Sequence, residues 1–442
     1  MSGAGRTLRA AITAALFVCA AAGGALARTA ASPAPEGVLP NGVHFQFRPD
    51  PAQPAAAVAL WYRAPAAGFD GARTPGLSRL AAATVAASAP ITGVSLVQLV
   101  ERWGGRLSVA AYPDSLSVTA LVPPEHAAQT VRAMTGDFFA PVVAAGGFQL
   151  AQRDAGEDAV YRSFGAEAIE DALGASLFAD GPLHDGTLGT VEGIGAVKLE
   201  RVRAFADRAF RPSNAILVLA GKVDGDALNA VASRAAAKPS SPEDPAAQTA
   251  RPSPAPLRRE GNIVGTGLGW VGPPIAAEAE ATALDFLADA LFAPRTGLVQ
   301  KSLAARKASA TGRFVTYRNP GVFLVTISGD DAAAARPIVD KAIADAAKPM
   351  AAAAFEAARA GFVYRVLSDM ETPSSQSEIF GWYAVEGAPD YAPAGGSSAR
   401  YFNLVGQLTP ASVAQVAAKY LGGAPGVVTF AKPAPKKKGT AA

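Results

Sequence analysis

The chain has 442 residues, is 50% hydrophobic, and carries 40 Lys and Arg against 37 Asp and Glu for a formal net charge of +3. That length exceeds what one hydrophobic core usually holds, so two domains of about two hundred residues each are expected. The small positive excess lies partly in the first residues and in Lys436-Lys-Lys438, with no arginine stripe interleaved with aromatics, which excludes a nucleic-acid surface.

Residues 1–27 read as a processing signal. Arg6 and Arg9 precede an apolar run from Ala10 to Ala22 that ends in the small-residue pattern Ala25-Leu-Ala27. The run is too short for a transmembrane span, so the expectation is a secreted, periplasmic protein without one. Cys19 is the single cysteine and lies inside this segment, which leaves the mature chain without a disulfide or a thiolate ligand. Lipidation of Cys19 is disfavoured by the bulky Val18 before it.

An N-terminal domain is expected over 28–235. Strands are predicted from Val43 to Phe47, after the Asn41-Gly42 turn, and from Ala57 to Tyr62. Helices follow from about Gly76 to Ala87 and from Ser95 to Trp103. A hairpin with period-two apolar residues then runs from Gly105 to Val122 around Pro113-Asp114. The domain closes with a helix over Val202 to Phe210, the turn Arg211-Pro-Ser-Asn214 and a strand from Ala215 to Gly221.

Proline at 239, 242, 245, 252, 254 and 256 denies helix and central strand to a linker over 236–260. A C-terminal domain over 261–432 repeats the first. It has a Gly/Val strand from Ile263 to Val271, a helix over Ala279 to Leu291, a hairpin from Ala308 to Ser328, a helix from Thr409 to Leu421 and a strand from Gly426 to Phe430. Thr409 followed by Pro410 supplies a hydroxyl cap and a first-turn proline. The aromatic run Ile379-Phe-Gly-Trp-Tyr383 is read as a helix face packed in the core, Gly387 to Ser398 as a loop, and 433–442 as a disordered basic tail. Hairpins and helices in mixed order indicate α+β: two homologous domains, each a largely antiparallel sheet with helices packed on one face.

Taken together, Leu39-Pro-Asn-Gly-Val-His-Phe45, Val58-Ala-Leu-Trp-Tyr62, Gly104-Gly-Arg-Leu107, Val122-Pro-Pro-Glu125, Leu177-Phe-Ala-Asp-Gly-Pro-Leu183, Arg211-Pro-Ser-Asn214 and Leu408-Thr-Pro-Ala-Ser-Val413 resemble the pitrilysin and insulinase peptidase family over nearly the whole mature chain. The resemblance implies a clam-shell of two half-molecules around a chamber, with a chain of this length forming one half. It also implies a zinc motif, Gly-Leu-Ala-His-Phe-Leu-Glu-His, where this chain has Gly76-Leu-Ser-Arg-Leu-Ala-Ala-Ala83.

In His-x-x-Glu-His two imidazoles one helical turn apart hold the metal, and the glutamate between them polarises the attacking water. The corresponding residues here are Arg79, Ala82 and Ala83. A guanidinium repels a divalent cation and alanine has no donor atom, so no such metal site and no cofactor are expected in this chain. Glu157 is the candidate for the family's downstream glutamate ligand, against an exposed helical charge as the alternative reading. In active relatives the second domain contributes an arginine and a tyrosine that stabilise the oxyanion. Arg306 is the weak substrate-binding candidate for that arginine, set against a solvated helix end, while Ser309, Ala310 and Thr311 stand where the tyrosine is expected and Tyr317 is displaced into the hairpin. His44, His126 and His184 lack metal-binding spacing, although His184 falls where active relatives have His-Pro-Tyr. No Gly-x-Ser-x-Gly elbow is present, which disfavours serine hydrolysis.

These residues point to a pseudopeptidase subunit, inactive by itself, that completes the peptide chamber of a zinc-bearing relative or pairs with a second copy. A stand-alone peptide-binding or scaffolding protein of the envelope is the alternative reading, and a metallopeptidase with unorthodox ligands is the third.

Overall fold

Asn41 and Gly42 make the first turn. Gly42 takes a left-handed φ of 85° and the Asn41 side chain accepts the Val43 N–H at 3.2 Å, folding strand β1 (Glu36–Val38) back on strand β2 (His44–Pro49). The computed structural model describes residues 35–69, 73–89, 93–232, 250–251, 255–318, 320–387 and 396–433. The signal reading over 1–27, tail residues 434–442 and much of the linker lie outside them.

Strands β3 (Ala56–Arg63), β4 (Arg106–Ala111), β5 (Ser115–Val122) and β6 (Ala215–Gly221) complete a sheet of order β1-β2-β6-β3-β5-β4. The β2/β6 pair is parallel and the other neighbours are antiparallel. The central β3 is a continuous apolar run because both of its faces are covered: Val58, Leu60 and Tyr62 enter one core, Ala59 and Trp61 another.

A second sheet contains β7 (Leu257–Glu260), β8 (Gly265–Val271), β9 (Ser309–Val315), β10 (Val322–Ser328) and β11 (Gly426–Ala431), in the order β7-β11-β8-β10-β9. Without β1, the first sheet has the same order and the same single parallel pair, here β7/β11. The two halves are thus homologous folds, and both belong to one compact unit. Strand β7 also corrects the linker reading: the last four residues of 236–260 pair with β11, since beyond Pro256 every residue again has an N–H to donate.

Each sheet carries its own half's helices on one face. In the first half these include Leu77–Ala87, Ala127–Phe138, Ala145–Arg162 and Leu199–Ala209; in the second, Glu278–Phe292, Ala332–Asp345, Ala352–Asp369 and Pro410–Leu421. The other face of each sheet takes one helix from the opposite half. Helix Ala166–Leu177 lays Ile169, Leu173 and Leu177 on the second sheet, over Gly265, Gly267 and Gly269. A Cβ on Gly267 would lie 2.5 Å from Ile169, so the glycines of β8 are what let that helix approach. Reciprocally, helix Pro373–Glu386 seats Gly381 against Trp61 of the first sheet, and the Trp61 indole donates to the Ser377 carbonyl at 3.2 Å.

The aromatic run 379–383 is therefore core, but core between the halves: Phe380 packs with Trp61, Ile216 and Val218. Of the expected loop from Gly387 to Ser398, residues 388–395 lie outside the described residues, and helix Gly396–Gln407 includes its last three. Among the described residues no helix is long and apolar enough to cross a membrane.

Candidate functional site

The degenerate motif opens helix Leu77–Ala87, entered through Gly76 at φ 87°. Arg79, in the first turn, sends its guanidinium to the neighbouring helix Ala145–Arg162, where Nη1 lies 3.0 Å from Asp158 Oδ2. Arg162, one turn beyond Asp158, lies 3.8 Å from the same carboxylate. Burial lowers the Arg79 pKa from its ordinary value, Asp158 opposes that shift, and the like charge of Arg162 adds to it. Ala82 is fully buried, at 0% exposure, and Ala83 is partly buried against the same core.

Glu157 is turned away. Its side chain is 75% exposed and its neighbour is Arg153 at 3.9 Å. One residue along a helix is a rotation of about 100°, so the carboxylate that faces the motif is Asp158 and not Glu157. The residues present do not fit zinc, because the set around the motif is two guanidiniums, one carboxylate and two methyl groups. Among the described residues no three His, Cys, Asp or Glu side chains gather as a metal-binding group.

Arg162 also lines a cavity of about 620 Å³ between the halves. The first half contributes the β4 end at Ala111 and Tyr112, and Glu170 from helix Ala166–Leu177; the second contributes Arg313 and Val315 of β9, Tyr317, and Glu378 and Trp382 from helix Pro373–Glu386. The ends of the equivalent edge strands β4 and β9 thus meet at one cavity. Trp382 is its aromatic centre, with the Tyr112 ring 4.7 Å away at 72° and the Tyr317 ring 5.5 Å away at 60°. Its indole donates to the Thr316 carbonyl at 3.1 Å.

Two polar pairs cross between the halves at this cavity. Arg313 pairs with Glu170, and the Tyr112 hydroxyl donates to Glu378. Burial raises the pKa of Glu378, with the Tyr112 hydrogen bond opposing it, and burial followed by the Glu378 charge pushes the Tyr112 hydroxyl up. On the cavity wall Asp171 accepts from the Thr187 N–H at 2.8 Å and the Leu188 N–H at 2.5 Å, fixing the loop that also presents Leu183 and Gly186. Burial nevertheless raises the Asp171 pKa.

The remaining sequence candidates lie apart. Arg306 is exposed in the turn after helix Leu298–Leu303, its N–H bonded to the Leu303 carbonyl at 2.8 Å, and it is not among the cavity residues. The second-half arginine that does reach the cavity is Arg313. Tyr317, in the hairpin, is beside it. Arg313, Val315 and Tyr317 recur at a spacing of two, and that periodicity was the signal available for finding them. His126 stacks on Trp103 at 5.1 Å, His184 lies 3.2 Å from Asp185, and His44 is on β2, where burial and then Arg63 lower its pKa.

Residues 196–362 match a family model described as the peptidase M16 inactive domain. A protease from Helicobacter pylori shares 16% identity and a TM-score of 0.77, covering 91% of this chain and 100% of that one. An M16-like peptidase from Alicyclobacillus acidocaldarius shares 18% identity and a TM-score of 0.73 over 91% and 99%. A chain of complex III2 from Candida albicans shares 12% identity and a TM-score of 0.72 over 89% and 95%. No curated protein matches the chain. Residues 196–362 thus match the M16 inactive domain, and the α+β fold of the chain is similar to that of the M16-like structures.

Proposed function

We propose that the chain is a non-catalytic subunit that completes the peptide chamber of a zinc-bearing relative, holding peptide in extended form while the partner cleaves it. The observation that carries this reading is the Arg79–Asp158 pair: a guanidinium stands where the motif would place its first metal-binding histidine, and the carboxylate that faces it is taken up in an ion pair. The edges of β4 and β9 support the holding role, because each ends the strand order of its sheet and both lead to the 620 Å³ cavity. Backbone hydrogen bonds along such an edge capture peptide with little sequence demand. The similarity to a chain of a multi-subunit complex supports assembly with other subunits. Secretion to the periplasm and a heterodimer belong to the same proposal.

Co-purification of the full chain from its native cell envelope, followed by peptide-hydrolysis assays with and without the recovered partner, tests it. A relative with intact His-x-x-Glu-His should co-purify, and cleavage should require both chains. Recovery of the chain alone with peptide bound would support the stand-alone binding protein instead. Robust turnover by the isolated, metal-checked chain would overturn both readings in favour of unorthodox ligands.

A further inference from the structure

A second cavity, of about 610 Å³, lies within the second half and shares no lining residue with the one between the halves. Five helices wall it: Leu287 and Leu291 come from Glu278–Phe292, Leu298 from Leu298–Leu303, Ile338 from Ala332–Asp345, Phe355 from Ala352–Asp369 and Val413 from Pro410–Leu421. Leu287, Leu291, Phe355 and Val413 are themselves core residues, so the cavity opens onto the hydrophobic core of this half. Leu298 is 46% exposed at the start of its helix. An apolar concavity between helices, with a volume inside the range of about 300–1,000 Å³, has the form of a small-molecule site.

Charge is confined to one helix end. Lys341, Asp345 and Lys348 are the only ionisable side chains in the lining, and Ser302 is the only other polar one. The Ser302 hydroxyl is already used, donating to the Leu298 carbonyl at 3.2 Å. Asp345 accepts from Lys341 and, at 2.8 Å, from Lys348. These two hydrogen bonds hold the Asp345 carboxyl down at about 2, so it is a permanent anion. Two ammoniums thus share one carboxylate, and the lining keeps one net positive charge. An ammonium has three donors, and each lysine gives one to Asp345, so both retain donors for a second anion. Their side chains are 76% and 75% exposed, within reach of a ligand arriving from solvent.

We propose that this cavity binds a single-chain anionic amphiphile of the fatty-acid class, with its carboxylate on Lys341 and Lys348 and its acyl chain along Leu291, Phe355 and Val413. The chain gains by leaving water for the apolar walls. Met350, also in the lining, has a flexible thioether that adapts to the chain. The carboxylate takes the lysine donors that Asp345 leaves, as charge-assisted hydrogen bonds. Head and chain are both needed, because exposed lysines by themselves hold a small anion weakly. A cationic amphiphile with the same chain would instead meet two ammoniums. This site lies apart from the cavity between the halves and needs no partner subunit.

The test is calorimetric titration of the full-length chain with dodecanoate and with dodecyltrimethylammonium, each kept below its micelle concentration. Dodecanoate should bind saturably, one molecule per chain, and Lys341→Gln combined with Lys348→Gln should weaken it about tenfold or more. The cationic amphiphile should bind wild type at least about tenfold more weakly than dodecanoate. No saturable dodecanoate binding, equal affinity for the two amphiphiles, or unchanged affinity in the double variant would overturn the proposal. Leu298→Trp, at a half-exposed position of the wall, locates the ligand without relying on the lysine variants. The emission added by this substitution should be quenched saturably by ω-bromododecanoate. Wild type already has Trp382 in the cavity between the halves. Quenching confined to the emission that wild type also shows would therefore place the ligand elsewhere and overturn the proposal.

Discussion

At residue scale, Arg79 is a cross-brace between helices Leu77–Ala87 and Ala145–Arg162. With both partners 29% exposed at the side chain, the pair is partly screened, and Arg79→Met should cost about 1 kcal/mol. Asp158→Ala should cost more, about 2 kcal/mol, because it leaves Arg79 and Arg162 facing each other without a counter-charge. Urea unfolding of the two variants gives the order, and equal losses would mean that Asp158 does not serve both arginines. In the second half, burial first and Asp369 next push the Asp285 carboxyl up to about 6, against the hydrogen bond from Tyr401. The stabilisation is complete below the ordinary carboxylate range and lost as pH rises through about 6. Asp285→Asn should remove that slope, so wild type should fall by about 2 kcal/mol relative to the variant between pH ~4 and ~8 in unfolding titrations.

At element scale, the halves are held by an exchange of helices, and each exchanged helix depends on glycine at its contact. A Cβ on Gly267 would meet Ile169 at 2.5 Å, and a Cβ on Gly381 would meet the Trp61 indole nitrogen at 1.9 Å. Gly267→Ala and Gly381→Ala should each destabilise by about 1–3 kcal/mol, the range for overpacking a filled core. Gly156, on the exposed side of helix Ala145–Arg162, has nothing within 4 Å of its ideal Cβ. Gly156→Ala should instead stabilise by up to about 1 kcal/mol through helix propensity. Thermal unfolding of the three variants checks both signs.

At the scale of the whole molecule, two copies of one sheet order face a shared cavity, and residues 79, 82 and 83 of the first half carry no metal-binding donor. Restoring such donors by Arg79→His, Ala82→Glu and Ala83→His together should give zinc binding at best, with peptide cleavage at background. The structure adds two reasons. Position 82 is fully buried, so a glutamate there enters apolar surroundings without a partner. The opposing carboxylate is Asp158, one methylene shorter than a glutamate, and Arg162 lies 3.8 Å from it as a competing cation. Metal content and peptide hydrolysis of the triple variant decide it, and turnover without a partner would refute it.

The sequence by itself determined the elements, the duplication and the loss of the motif. Period-two and period-3.6 patterns, the Asn41-Gly42 turn and the Thr409-Pro410 cap are local signals, and β6 runs from Ala215 to Gly221 as read. The identities of Arg79, Ala82 and Ala83 needed no structure, since a side chain without a donor cannot ligate. Tertiary structure alone decided what lies opposite them. Glu157 and Asp158 are adjacent in the chain, and only helix rotation against Leu77–Ala87 selects Asp158. The same holds for Arg313 over Arg306, and for the aromatic run 379–383, whose apolar pattern demands burial without naming the sheet that buries it. Those choices depend on which faces meet across the halves, through contacts hundreds of residues apart in the chain that no local pattern encodes.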